Sequence, residues 1–578
     1  MRDRRAMYRR AAASVVSLTL AGGLAACAGP DGGAGGAQSG GKPAKGGKLT
    51  VLNTDPLADF DPARQYTSGG GNVPSLVFRT LTTRKRADGA EGTKVVPDLA
   101  TGLGTPSKGA TVWTYKLKKG LKYEDGSPIT SADIKYGVER SFAAELSGGA
   151  PYLRDWLIGG ADYEGPFGKG KQGKQGKKSL DSIETPDAHT IVFKLNRPVG
   201  DFPYLATQTQ FTPVPKKKDT VTKYEEHPLS SGPYKVVENT NDGERLQLER
   251  NPHWSPSTDD QRKAYPDTID VRSGLDPAVI NQRLSTSSGA DAAAITTDTN
   301  LGPAELAQIG QNKALKSRVG TGHFGYTNYL AFNPDVKPFD KPAVRQAISY
   351  AIGRGSVVNA VGGSSLAEPA TTFLPNQKAF GHTPYDHFPA GKNGNPQKAK
   401  EVLAKAGYKK GLTITLTHST EEGEVGPKVA SAIQQSLAKA GIKVELRGLE
   451  KNEFDEKRWD AENSPGLFLS RWGADWPAGY PFLAPIFDGR QIVRNGANFN
   501  HAKLDDPAVN KEIDAIGRIT DLEAAAKRWG ALDKKIGEQA LSVPLYHPVY
   551  QRLVGKDIKN VVISDWTGVL DISQVAVK

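Results

Sequence analysis

Cysteine is almost missing from this sequence: Cys27 is the only one. No disulfide can form within the chain, and no thiolate cluster can hold a metal. Histidine is nearly as scarce, with nine residues scattered along the chain. His382 and His387 come closest to a pair, yet the loop-like stretch between them lacks the i, i+4 helical spacing of a zinc site, so no metal is expected. Catalytic signatures are absent too. There is no GxSxG elbow, and the SxxK matches at Ser39 and Ser436 have no KTG partner, which argues against a penicillin-binding transpeptidase. "GAQSGGKP" nearly matches the phosphate-cradling GxxxxGK[ST] pattern, but Pro43 stands where a hydroxyl should bind the metal and no strand precedes it. The reading is therefore of a protein without cofactor and without catalysis. Carboxylates alone are plentiful, and counting them leaves a surface glycosidase open.

What is present suits a large soluble protein. At 578 residues the chain exceeds one core and should divide into two or three lobes. The net charge of +12 raises nucleic acid as a partner, but the basic residues do not cluster accordingly, and none is expected. Arg2, Arg4, Arg5, Arg9 and Arg10 crowd the start, followed by the apolar run "AAASVVSLTLAGGLAA". That run is too short for a stable membrane anchor and has the layout of an export signal, residues 1–26. It ends in "LAAC", which resembles a bacterial lipobox and would make Cys27 a lipidated first residue. Acyl chains contribute about 0.8 kcal/mol per buried methylene to membrane attachment. The Gly-rich stretch 27–47 then reads as a flexible tether reaching on the order of 25 Å. A second spacer, Gly168 to Ser179, reads as an exposed loop.

From Lys48 onward, strand and helix patterns alternate. Trp113, Tyr115 and Leu117 recur at period two, as do Ile191, Phe193 and Leu195. Thr130 and Asp133 form a capping box, with Ile134, Val138 and Phe142 along one side of the helix it opens. Asp340 is the expected N-cap of a helix that has Pro342 in its first turn and Val344, Ile348 and Ala351 facing inward. Between 395 and 449, "LAKAGYKKGLTITLTH" and "LAKAGIKVELRGL" each end a helix at a glycine, Gly407 and Gly441, and enter a strand. Helix, strand, helix, strand implies a parallel crossover and a separate α/β lobe.

One short stretch carries concentrated chemistry. "RWGADWPAGY", residues 471–480, frames the carboxylate of Asp475 with the indoles of Trp472 and Trp476. An acid between aromatic walls suits a cationic guest, since cation–π attraction adds about 0.5 to 2 kcal/mol. The alternative is that Asp475 caps the turn before Pro477 while the indoles fill core.

Several motifs, in order, resemble a known family. "VVPDLATGL", "WTYKLKKGLKYEDGSPITSADIKYGVERSF", "SSGPYKVVE" with "LERNPHW", "NYLAFN" with "FDKPAVRQAISYAI", and "RWGADWP" are similar to the extracytoplasmic solute-binding receptors of peptide and nickel ABC importers. The resemblance spans nearly all of the chain from Lys48.

It implies an α/β, two-lobed, type II periplasmic-binding-protein-like fold with an extra N-terminal subdomain and two hinge crossovers. Lobe I would comprise 48–75, 190–318 and 541–578, the subdomain 76–189, and lobe II 319–540. The crossings would run through "HFGYTNYLAFN" and "LSVPLYHPVY". By resemblance Asp475 meets a peptide's α-ammonium, Trp472 and Trp476 flank it, and Tyr326, Asn328 and Tyr329 lie on a crossing with only some facing the cleft. Arg345 belongs to a lobe helix and should be structural. Relatives often follow the aspartate with Asp-Pro where this chain has Ala478-Gly479, and no residue suggests itself for the ligand's C-terminal carboxylate. The implied function is a monomeric lipoprotein on the extracytoplasmic face of the membrane that captures oligopeptides and delivers them to an ABC permease and ATPase. A nickel chelate, haem or oligosaccharide is the alternative cargo; a surface peptidase or glycosidase is the alternative class.

Overall fold

The computed structural model describes residues 42–57, 60–66, 72–170, 176–240, 242–421, 425–493 and 496–578. The export signal, Cys27 and most of the tether lie outside the described residues. The last residues read as tether are pinned: Ala44 N–H donates to the Lys578 carbonyl, and Gly47 N–H to Asp267.

Three larger sheets and a two-stranded one, Thr82–Arg84 with Val95–Pro97, organise the described chain. The first orders its strands Ala294–Ile295, Lys48–Leu52, Thr268–Arg272, Arg245–Arg250, Tyr234–Asn239; its first three are parallel and the rest antiparallel. The second orders Val319–His323, Ser542–Leu553, Tyr326–Phe332, Leu467–Gly473, Leu412–Ser419, Ile442–Leu449, with Ala367–Pro369 also pairing Ser542–Leu553. A four-stranded antiparallel sheet, Thr105–Ser107, Val112–Lys116, Thr190–Lys194, Ile183–Asp187, forms the extra subdomain.

Local patterning accounts for these elements. Trp113, Tyr115, Ile191 and Phe193 alternate inward and are buried, as a half-buried sheet requires. The Thr130–Asp133 box opens the Ser131–Arg140 helix, Asp133 accepting the Thr130 N–H at 2.8 Å. Helices Pro396–Lys405 and Val425–Lys439 lead through Gly407 and Gly441, both at positive φ, into the parallel strands Leu412–Ser419 and Ile442–Leu449. Only glycine adopts that backbone cheaply. The Pro342–Ala351 helix departs from expectation: its N-cap is Lys341, with no side-chain cap, and Asp340 is exposed one residue earlier. Pro342 has no N–H to be capped, which weakens the demand for an acidic cap.

One expected boundary cuts through an element and two separate strands of one sheet. The 75/76 boundary divides the helix Pro74–Val77, and 189/190 separates two hydrogen-bonded strands of the subdomain sheet, which therefore keeps Thr190–Lys194. The boundary at 540/541 assigns Ser542–Leu553 to lobe I, yet that strand pairs throughout with the second sheet. Lobes assembled from distant segments do not end where turn composition changes.

The crossings lie side by side. Val319–His323 and the end of Ser542–Leu553 pair antiparallel, Val319 opposite Leu553. Val319 and Leu553 pack with Leu52, Ile280 and Leu284 of the first lobe. Leu330, Phe332, Val543 and Leu545 pack in the second-lobe core. Each strand pair thus has one end in each lobe. The subdomain's aromatic core continues without a break into the second lobe, joining Trp113, Phe193 and Phe202 to Trp476, Tyr480 and Phe482.

Candidate functional site

A cavity of about 580 Å³ opens between the lobes, within the size range of ligand sites. Tyr66, Phe78, Arg84, Arg86, Arg262 and Trp566 line it from the first lobe and adjoining segments. Tyr326, Arg458, Trp459, Arg471, Trp472, Asp475 and Phe499 line it from the second. A separate recess beside Tyr385 and Asp533 holds about 30 Å³, room for little more than a water molecule.

Asp475 follows the Leu467–Gly473 strand. That strand pairs along its length with Tyr326–Phe332, setting Tyr326 opposite Gly473 and Asn328 opposite Arg471. Gly473 permits this: a Cβ there would lie 2.5 Å from the Tyr326 ring. On its other side the strand meets Leu412–Ser419 at Thr417 and Phe468 alone. From Leu469 to Gly473 this second edge has no strand partner among the described residues.

Two hydroxyls reach Asp475 from distant parts of the chain. Tyr66 donates to Oδ2 at 2.8 Å across the cavity, and Tyr152 of the subdomain helix Tyr152–Trp156 donates to the same oxygen. Among the described residues, Oδ1 receives no hydrogen bond. Burial pushes the Asp475 carboxyl above its usual range, while the hydrogen bonds from Tyr152 and Tyr66 pull it back toward ionisation. Burial and the nearby Asp475 charge raise both tyrosines. They remain neutral donors, and the site presents one acceptor oxygen toward the cavity.

The other expected residues divide. Trp472 lines the cavity; its N–H donates to the Pro481 carbonyl at 3.0 Å and its ring lies 4.9 Å from Phe499. Trp476 does not reach it. That indole is 0% exposed, donates to Asp201 at 2.7 Å and packs edge-on against Tyr152 at 4.8 Å. It fastens the loop beside Asp475 to the subdomain. Tyr326 lines the cavity, whereas Asn328 lines a small recess with Arg471 and Tyr546, and Tyr329 is buried 4.7 Å from Phe373. Strand alternation sets Tyr329 on the face opposite Tyr326 and Asn328, and the pairing with Ser542–Leu553 shifts register between Asn328 and Tyr329. Arg345 is buried and donates to the carbonyls of Phe339, Gln539 and Ala540, a packing role.

Sequence reading missed Tyr66, Tyr152 and the arginines. Tyr66 and Tyr152 lie 409 and 323 positions from Asp475 with no local pattern to mark them. The run Arg84-Lys85-Arg86 was a visible signal. Among the described residues of the lining, Asp475 is the only carboxylate, against five arginines. Among the described residues no cluster of His, Cys, Asp and Glu is arranged to hold a metal ion.

The sequence model of bacterial extracellular solute-binding proteins, family 5 middle, matches residues 94–493. Di/tripeptide-binding protein 1 of Pseudomonas aeruginosa is 26% identical over 521 residues, 86% of this chain and 88% of that protein. Glutathione-binding protein GsiB of Salmonella paratyphi A is 24% identical over 479 residues, 81% of this chain and 83% of that protein. Among solved structures, clavulanic acid biosynthesis oligopeptide binding protein 2 has a TM-score of 0.85 at 34% identity, covering 94% of this chain and 99% of that one. Haemophilus influenzae OppA in complex with RPPGFSPFR has a TM-score of 0.66 at 21% identity, covering 93% and 100%, a likeness of fold.

Proposed function

The chain belongs to the bacterial extracellular solute-binding proteins of family 5, with their two-lobed type II fold, and from that premise we propose that its cargo is a peptide held by its α-ammonium at Asp475. The family binds solutes rather than transforming them. The observation that carries the reading is the one carboxylate that the described residues present to the interlobe cavity, with Tyr66 and Tyr152 on Oδ2 and no hydrogen bond from a described residue on Oδ1. An ammonium there makes a charge-assisted bond that strengthens as lobe closure removes water.

The open edge of Leu469 to Gly473 supports backbone pairing with an extended peptide, which gives affinity without reading side chains. The names of the relatives, which include di/tripeptide-, glutathione- and oligopeptide-binding proteins, agree with this cargo. The reading extends to a lipoprotein anchored through Cys27 on the extracytoplasmic face, handing its peptide to an ABC permease and ATPase. The export-signal pattern and the Gly-rich stretch after Cys27 support that part.

An oligosaccharide is a second reading, because Trp459, Trp472 and Trp566 all line the cavity and indoles suit sugar faces. It leaves the charged lining without a purpose. Calorimetric titration with Ala-Ala-Ala and its N-acetyl derivative tests the proposal. The free amine should bind tighter by about 10-fold or more, as a hydrogen bond to charge requires. Equal affinities, or binding of neither, overturn it.

A further inference from the structure

Charge in the cavity does not balance. Arg262 is compensated: it meets Asp98 at 2.9 Å and Asp259 at 3.0 Å, and Arg79 completes a buried cluster of two cations and two anions. Arg458 meets Asp455 at 2.6 Å. Of the other three guanidiniums, two share one acid and the third has none. Arg84 and Arg86 both reach Oδ2 of Asp571, at 3.2 and 3.1 Å, while Oδ1 of Asp571 accepts from Ser573. Arg84 also donates to Asn72 and Arg86 to Thr83, both neutral groups. Arg471 is exposed on the cavity lining, and its side chain makes no hydrogen bond or ion pair with a described residue.

The arginine pair is buried as well as undercompensated. The Arg86 side chain is 3% exposed, and the Nε atoms of both Arg84 and Arg86 are buried without a partner. Buried cations need counter-charge and hydrogen-bond acceptors, and one carboxylate supplies too little for two guanidiniums. Burial lowers Arg86 to about 10, with the nearby positive charges of Arg84 and Arg262 adding to the effect of burial. Among the described residues no second carboxylate lines this wall, which leaves room for an anion on the ligand.

We infer that the cavity selects acidic peptides, one ligand carboxylate meeting the Arg84–Arg86 pair and another meeting Arg471. This rests on the peptide reading above, and it adds a preference that reading does not require. The two carboxylates are a chain terminus and an acidic side chain.

Titration of the full chain, followed by fluorescence of the cavity indoles, with Ala-Glu-Ala, Ala-Gln-Ala, Ala-Lys-Ala and the C-terminal amide of Ala-Glu-Ala separates the sources. Ala-Glu-Ala should bind about 10-fold or more tighter than Ala-Gln-Ala, with Ala-Lys-Ala weakest, and the amide should lose a similar factor. Arg471→Gln leaves no protein partner stranded, so it should fold and should shrink either the Glu-to-Gln ratio or the acid-to-amide ratio. Equal binding of Ala-Glu-Ala and Ala-Gln-Ala overturns the inference and leaves peptide capture intact. Binding of none of the four overturns both. An R471Q chain that keeps both ratios overturns the role of Arg471.

Discussion

Asp475 is buried, and few protein groups meet its charge. Two neutral hydroxyls steady Oδ2, and neither cancels its charge. Asp475→Asn removes the charge in nearly the same shape, and should weaken binding of a free-amine tripeptide by roughly 1.5 to 3 kcal/mol. Because burial raises this carboxyl, acidification should weaken wild-type binding before the ordinary carboxylate range is reached, as protonation removes the anion that holds the ammonium. The Asn variant should lack that component of the pH profile. Titrations across pH check both points; matching profiles would show that Asp475 does not carry the charge. At this scale the sequence was partly legible. The acid between two indoles stood out, but which indole faced the cavity did not. Trp476 goes to the subdomain because Asp201, 275 residues away, accepts its N–H, and no local pattern reports so distant a partner.

At the scale of elements, periodicity was more reliable. The repeated helix–Gly–strand units gave the parallel pair Leu412–Ser419 and Ile442–Leu449 as expected, since glycine at positive φ and alternating apolar residues are local requirements. Boundaries between lobes were not legible, because hydrogen bonding between segments far apart in sequence decides them. One helix also carries a buried acid that no pattern marks. Asp533, on the Leu522–Gly537 helix, accepts from Leu374 N–H at 3.1 Å and Tyr385 at 3.0 Å, and burial raises it to about 7. The folded protein therefore holds this proton more tightly than the unfolded chain. Its stabilising contribution is fully present below the unfolded value of about 3.9 and is lost as pH rises through the folded one, a change on the order of 4 kcal/mol. Asp533→Asn is neutral at every pH. Thermal unfolding of both proteins from pH 4 to 8 should show the gap in Tm moving in favour of the Asn variant as pH rises; a constant gap would contradict it.

The whole molecule gathers charge on two walls of one cavity. One wall carries the Arg84–Arg86 pair around Asp571, and lobe II contributes Asp475, Arg471 and an open strand edge. The two lobes join through adjacent strands whose ends sit in different cores, a geometry suited to hinge motion. A ligand that touches both lobes can favour the closed arrangement only through its differential affinity for it, and groups on both walls supply that difference. The two-lobed organisation was legible through the ordered motifs. The charged wall around Asp571 was legible only as the run Arg84-Lys85-Arg86, because Arg84, Arg86 and Asp571 converge only in the fold.

The most direct test is a crystal structure of the protein with a bound free-amine peptide. The account predicts the peptide in the interlobe cavity, its ammonium nitrogen about 3 Å from an Asp475 carboxylate oxygen. A peptide bound elsewhere, or an ammonium turned away from Asp475 within the same cavity, would contradict it.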